Sequence, residues 1–195
     1  MDAGIFKEQM QVLKLEKAGN SWDWSVSGTI WGKAEIQEKP ALFSKTGVGA
    51  NGIKFMIRKR DLTLENALKW RGRHCFLTYL QEINRMYLSV SAALIEPQKC
   101  MVAHQSYGKD EFNRPTVSEQ QTIFFPGILT EKYLRFSQEE PQGNTENTMV
   151  LITPKVITLA SGELVTVGET DYSVQICHDL DEYKNEYEIY RKRDV

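Results

Sequence analysis

Strand signatures in this sequence recur in one order, and that order occurs twice. The first run spans Ile53 to Ile95. It opens on Ile53-Lys54-Phe55-Met56-Ile57-Arg58, where Ile53, Phe55 and Ile57 alternate with Lys54 and Arg58. That period of two is the pattern of a half-buried strand. A short bend through Leu62-Thr63-Leu64 reaches Leu68-Lys69-Trp70-Arg71-Gly72-Arg73. A second strand, Cys75 to Leu80, a polar bend, Gln81 to Arg85, and a third strand, Tyr87 to Ile95, complete the run. Thr148 to Thr153 opens the second run. Ile157-Thr158-Leu159 echoes Leu62-Thr63-Leu64, Leu164 to Gly168 echoes Leu68 to Gly72, and Tyr172 to Ile176 echoes Phe76 to Leu80, before Tyr187 to Arg191. The spacing aligns Gly72 with Gly168, Phe76 with Tyr172 and Leu80 with Ile176. Self-similarity of this kind constrains a fold more than any single segment does.

The segments leading into each run extend the match. Glu131-Lys132-Tyr133-Leu134-Arg135-Phe136 resembles Glu38-Lys39-Pro40-Ala41-Leu42-Phe43, and a polar loop follows each, Ser44–Gly52 and Ser137–Asn147. Upstream, Met10–Leu15 reads as a strand or a short helix, Ala18–Ser21 as a turn, and Trp22–Val26 and Ile30–Ile36 as strand material. Pro97–Cys100 is the boundary signal. Met101 to Gln121 has a turn-rich opening, and Gln121–Phe125 is a strand stopped by Pro126-Gly127. The expected fold is mainly β: two similar small β-barrel or sandwich domains in tandem, residues 1–99 and 100–195, with little helix.

Charge divides along the same line. Residues 1–100 hold 15 Lys/Arg and 10 Asp/Glu, a balance of +5; residues 101–195 hold 9 and 16, a balance of −7. A net charge of −2 argues against a general nucleic-acid binder, while halves of opposite sign fit an electrostatic role between halves or between neighbouring chains. No apolar run is long enough to span a bilayer, and the N-terminus lacks the pattern of a signal peptide. Three cysteines with no Cys-x-x-Cys point to reduced thiols, Cys75 being a buried small hydrophobe.

Catalytic and metal-binding patterns do not emerge. His74, His104 and His178 are dispersed. Cys177-His178-Asp179 clusters ligand types, but neighbours in an extended segment face opposite ways. Asp179, Asp181 and Glu182 read as a solvated bend. The glycines of 44–52 lack a phosphate-loop ending. No cofactor is expected. Trp31, among apolar neighbours, and Trp22 and Trp24, flanking a turn, are expected in core or subunit-interface packing rather than as stacking platforms for single strands. Two features remain as candidate contact sites: the loops, represented by Lys45, Gly47, Gly49, Asn51, Gly52, Gln142 and Gly143, and a basic patch of Arg58, Lys59, Arg60, Lys69, Arg71 and Arg73. The patch forms if the strands at 53–60 and 68–73 are neighbours, and it would face phosphate or an acidic protein surface.

Taken together, Gly4-Ile5-Phe6-Lys7-Glu8, the Trp-rich turn, Ile30-Trp31-Gly32-Lys33-Ala34-Glu35, Ile57-Arg58-Lys59-Arg60 and Trp70-Arg71-Gly72-Arg73-His74-Cys75-Phe76-Leu77 resemble the phage head–tail joining family, the head-closure or stopper proteins. The resemblance covers residues 4–95. Lys59 stands where the family has an aromatic, and Phe76 where it has Tyr. The second half resembles the pattern more loosely, with Asp110-Glu111-Phe112-Asn113-Arg114-Pro115 similar to an opening turn of joining and minor capsid proteins. The resemblance implies a non-enzymatic virion protein, assembled in the host cytoplasm. Such proteins form a homo-oligomeric ring at the head–tail connector, between portal or adaptor and tail proteins, next to channel DNA and away from membranes. The duplication departs from the single copies usual in the family. A tail terminator, a minor capsid protein and a nucleic-acid-binding β module are the alternatives.

Overall fold

The computed structural model describes residues 4, 6–37, 51–109, 112, 114–131, 149–179 and 181–192, with the backbone alone at 37, 105–109, 115–120 and 131. Twelve strands follow in chain order: β1 (Glu8–Ala18), β2 (Ser21–Gln37), β3 (Asn51–Arg58), β4 (Ala67–Trp70), β5 (Arg73–Ile83), β6 (Tyr87–Leu94), β7 (Gln98–Lys109), β8 (Pro115–Glu131), β9 (Met149–Pro154), β10 (Leu164–Val167), β11 (Thr170–His178) and β12 (Lys184–Arg191). The first six pair in the order β1-β4-β5-β6-β3-β2, and β2 returns to β1. The last six pair as β7-β10-β11-β12-β9-β8, and β8 and β7 pair in turn. These are one antiparallel circuit built twice. Pairing closes each circuit on itself, and each interior is filled by side chains, as in other small closed sheets.

The interiors follow from period-two alternation. Met10, Val12, Ile53, Phe55, Ile57, Leu68, Trp70, Cys75, Leu77 and Val90 point into the first circuit. Cys100, Val102, Leu151, Val165, Val167, Tyr172, Val174, Tyr187 and Ile189 point into the second. The echo between Leu62-Thr63-Leu64 and Ile157-Thr158-Leu159 has a physical basis, because all four apolar residues pack on their own circuit's core.

Strand pairing sets the repeat one residue away from the spacing expected from sequence. Met10 pairs with Trp70 and Cys100 with Val167, so Trp70 corresponds to Val167. The β-bulges agree, lying after Leu77 in β5 and after Val174 in β11. Cys75 therefore matches Tyr172, and Phe76 matches Ser173. Gly72 and Gly168 misled the alignment because they hold different places in their hairpins. Arg71 and Gly72 both have positive φ, 50° and 79°, whereas in the second turn Gly168, at 63°, comes first. Both are two-residue turns suited to the twist of a hairpin.

Trp22–Val26 and Ile30–Ile36 are strand as expected, within one continuous strand, β2. Other boundaries differ from expectation. Asn51 and Gly52 are not loop residues but open β3, paired with Leu94 and Ala93. The approach to Gly72 is a strand, β4, rather than a bend. Residues 98–109, expected to be boundary and turn, form β7. β8 runs through Pro126 and Gly127 instead of stopping there. The β8–β9 ladder starts only at Ile128, so Pro126 sits where β8 is paired on one side, a place that tolerates a missing N–H. A Cβ on Gly127 would lie 2.7 Å from Cys100 Sγ, and one on its counterpart Gly32 2.7 Å from the Met56 carbonyl. Both glycines let neighbouring strands approach closely.

The two circuits meet head to tail. Ile95–Pro97 is the whole connection between β6 and β7. Phe76, on the outer face of β5, packs with Ile128, Val150 and Ile152 on the outer face of β8 and β9, with Ile95 alongside. The tip of the β1–β2 hairpin lies on β8: Ser21 pairs parallel with Phe124, and the Phe124 N–H donates to the Asn20 carbonyl at 2.9 Å. Trp22 packs on the second core. Lys14, Leu15, Trp22 and Trp24 line one cavity with Pro154, Lys155 and Val156.

Candidate functional site

Arg58, Lys59, Arg60, Lys69, Arg71 and Arg73 do not form one patch. In the first circuit β3 and β4 are separated by two strands in either direction, so the condition of neighbouring strands fails. Arg58 ends β3, and with Lys59 and Arg60 just beyond it lines a groove of about 430 Å³ with Phe6, Thr29, Ile30, Trp31 and Ile57. Lys69 and Arg71 line a different recess with Gln9, Gln11 and Thr29. Arg73 is exposed at the β4–β5 turn.

Arg71 is engaged structurally. Its Nη2 and Nε donate to Glu8 at 2.8 and 3.2 Å, and Trp70 Nε1 donates to the same carboxylate at 2.9 Å. The Arg71 guanidinium also lies 4.6 Å over the Trp70 ring. These donors, Arg71 first, lower the Glu8 pKa, and the carboxylate raises that of Arg71. The cluster fixes the entry of β1 against β4. Lys59 is tied to Glu82 at 2.7 Å, and its backbone N–H donates to the Met86 carbonyl.

Arg58 and Arg60 are exposed in the groove beside Trp31. Trp31 is 55% exposed, which takes it out of the core and leaves it on the surface of the groove. Its sequence neighbours Ile30 and Gly32 face the core, and alternation turns Trp31 outward. Phe6 continues the aromatic surface and stacks on Tyr87 with ring centroids 5.5 Å apart. Sequence reading missed Trp31, Thr29 and Phe6 as groove residues. Ile30-Trp31-Gly32 read as an alternating strand would have placed the indole outside.

Of the loop candidates, Lys45, Gly47, Gly49, Gln142 and Gly143 lie outside the described residues, while Asn51 and Gly52 belong to β3. Residues 38–50 join β2 to β3, and 132–148 join β8 to β9, the corresponding connection of the second circuit.

Remaining polar groups have structural roles. Asp181 Oδ1 accepts from the backbone N–H groups of Tyr183 and Lys184, and Lys155 Nζ donates to the carbonyls of Asp179 and Asp181, which shapes the bend before β12. His178 Nε2 lies 3.2 Å from Glu188, while Cys177 Sγ contacts the Leu159 carbonyl at 3.4 Å. Among the described residues no group of three or more His, Cys, Asp or Glu could hold a metal ion. Burial pushes the Cys75 and Cys100 thiols up to about 12, which removes them as nucleophiles at neutral pH. Among the described residues no helix is long and apolar enough to cross a membrane.

No family model matches the chain, and neither a curated protein nor a solved structure matches it.

Proposed function

We propose that this chain is a non-enzymatic structural protein of a tailed phage or prophage virion, forming a ring at the head–tail connector that closes the portal channel and docks the tail. The observation that carries the reading is the head-to-tail seam. One circuit presents the outer face of β5 and a hairpin tip, and the other receives them on a different face, β8 and β9. Contacts between unlike faces are the kind that build rings when their rotation closes. The resemblance of residues 4–95 to joining proteins supplies the setting, and the opposite charges of the two halves suit contacts between successive chains. Portal or adaptor and tail proteins would be the neighbours, and the virion the location. The test is the mass of the purified full-length protein, with electron microscopy of the same sample. A closed ring of uniform size is expected; a monomer at all concentrations overturns the reading.

A second reading rests on Trp31 lining one groove with Arg58 and Arg60, since an exposed aromatic ring in a basic groove also suits stacking on single-stranded nucleic acid. It predicts salt-sensitive binding of single-stranded DNA that is lost in Trp31→Ala.

A further inference from the structure

The two recesses that divide the basic residues share a wall. Thr29 lines the groove of Trp31, Arg58 and Arg60, and it also lines the recess of Lys69 and Arg71. Register gives the reason. Trp31 and Thr29 of β2 lie opposite Gln9 and Gln11 of β1, and Gln11 lies opposite Lys69 of β4. Their sequence neighbours Met10, Val12, Ile30, Leu68 and Trp70 point into the core, so alternation turns all five outward, where all five are exposed. Arg58 continues the row at the end of β3. Arg60 reaches over β2, since a Cβ built on Gly28 would lie 3.8 Å from its Nη2. The outer face of β3-β2-β1-β4 is therefore one band, about 14 Å from first strand to last at the usual strand spacing.

Pairing locates the same face in the second circuit. Lys33 pairs with Met56 as Ile128 pairs with Ile152, and Arg58 pairs with Tyr87 as Pro154 pairs with Lys184. Thr29 and Trp31 thus correspond to Phe124 and Pro126, Arg58 and Arg60 to Pro154 and Val156, and Lys69 to Thr166. There the face is uncharged at these positions, and part of it receives the β1–β2 hairpin. In the first circuit the same positions hold three cations in the open.

Arg58, Arg60 and Lys69 have no ion pair among the described residues, whereas Lys59 and Arg71 are held by Glu82 and Glu8. We infer that this band is a track for single-stranded nucleic acid. Arg58 and Arg60 at one end and Lys69 at the other meet phosphates, Thr29, Gln9 and Gln11 hydrogen-bond the strand between them, and Trp31 stacks on a base. The inference rests on the second reading above and extends it from one groove to four strands. Charge alone would also suit an acidic protein surface; the exposed indole within the band favours a ligand with π faces to stack on it. The net charge of −2 opposes polyanions only weakly at this surface, because exposed charges are screened beyond about 8–10 Å at physiological salt and the local balance decides.

The experiment is fluorescence anisotropy of a labelled oligo-dT of about 15 nucleotides, titrated with full-length protein across a salt series. Thermal midpoints confirm that each variant is folded. Each phosphate neutralised on a single strand contributes about −0.7 to the slope of log affinity against log salt, so three cations give wild type a slope of about −2. Lys69→Ala should flatten it by about 0.7 and Arg58→Ala with Arg60→Ala by about 1.4, while Lys192→Ala, on the second circuit, leaves it unchanged. Trp31→Ala should weaken binding about 5- to 150-fold at every salt with the slope intact, as for a lost stacking contact. If Trp31→Ala weakens binding but Lys69→Ala changes nothing, the band is overturned and the groove reading survives. An effect of Lys192→Ala equal to that of Lys69→Ala reduces the binding to non-specific charge and overturns the track. A wild type that leaves the oligonucleotide free overturns both readings, and a change in the protein's own sedimented mass in Arg58→Ala with Arg60→Ala would then give the surface to a protein neighbour.

Discussion

The two circuits share a topology, a pair of bulges and a core, and differ in what their outer faces carry. In the second, Ile128, Val150 and Ile152 are buried against the first circuit. Their counterparts in the first are Lys33, Lys54 and Met56, and Lys33 is exposed and paired with Glu35. Phe76, the apolar partner across the seam, is matched in the second circuit by Ser173. The circuits agree on the inside, where close packing penalises change. They differ on the outside, wherever one circuit meets its neighbour and the other does not. The seam's apolar surface is therefore present once on each side, and the matching positions at the two outer ends carry Lys33, Lys54 and Ser173, with Met56 the one apolar residue among them. Such ends resist open-ended stacking through this surface.

The largest test of this contrast places a residue of one circuit in the other. Val150→Lys gives the second circuit the lysine that the first carries at Lys54 and buries its charge against Phe76. A loss of about 3–5 kcal/mol is expected, as for other uncompensated buried charges. Urea unfolding should split into two transitions as the circuits uncouple. A single transition with wild-type midpoint would break the comparison.

Acid should strike the first circuit selectively. His74 is buried beside Trp24, their rings 5.4 Å apart, and its Nε2 has no hydrogen-bond partner. Burial pushes its pKa down to about 4; Glu96 opposes the shift and Lys69 adds to it. The unfolded chain takes up the proton near pH 6.5 and the folded chain only near pH 4. Stability is thus fully present above about 6.5 and drains as pH falls through that window, by about 3 kcal/mol in all. The matching residue in β11, Asp171, is exposed. Urea midpoints between pH 7 and 4 should fall steeply for wild type and less so for His74→Phe; equal slopes would remove His74 as the cause.

Smaller effects are expected where the circuits agree. Gly32→Ala and Gly127→Ala should each cost about 1–3 kcal/mol by overpacking, read from thermal unfolding. Gly32 should be the worse, because its new methyl meets a backbone carbonyl as well as flexible side chains. The smallest is Lys54→Val, which should change stability by less than about 0.5 kcal/mol as a surface substitution. A change well beyond that would mean that Lys54 is engaged in the fold and is no simple counterpart of Val150.

Much of this architecture was legible in the sequence, because alternation such as Ile53-Lys54-Phe55-Met56-Ile57 marks a strand with one face inside. The duplication was legible for the same reason. Its register was not, because glycines were used as landmarks, and a two-residue turn admits glycine at either position. The β7–β8 hairpin was hidden by polar residues such as His104, Gln105 and Gln120–Thr122. The candidate groove was half legible. Arg58–Arg60 stood out as charge, but Trp31 was read as core or interface packing and was not joined to them. The correspondence of Arg58-Lys59-Arg60 with Pro154-Lys155-Val156 could emerge only from pairing, because the two share one residue in three.

The three-residue link Ile95–Pro97 has one further effect. A tether that short holds the two circuits at millimolar or higher effective concentration, so their seam need not supply the affinity that free subunits would require. A contact relieved of that demand can be small, and the apolar cluster at its centre has only five residues, Phe76, Ile95, Ile128, Val150 and Ile152. Cleavage at the link would expose that economy: circuits that hold together as one chain would part on dilution.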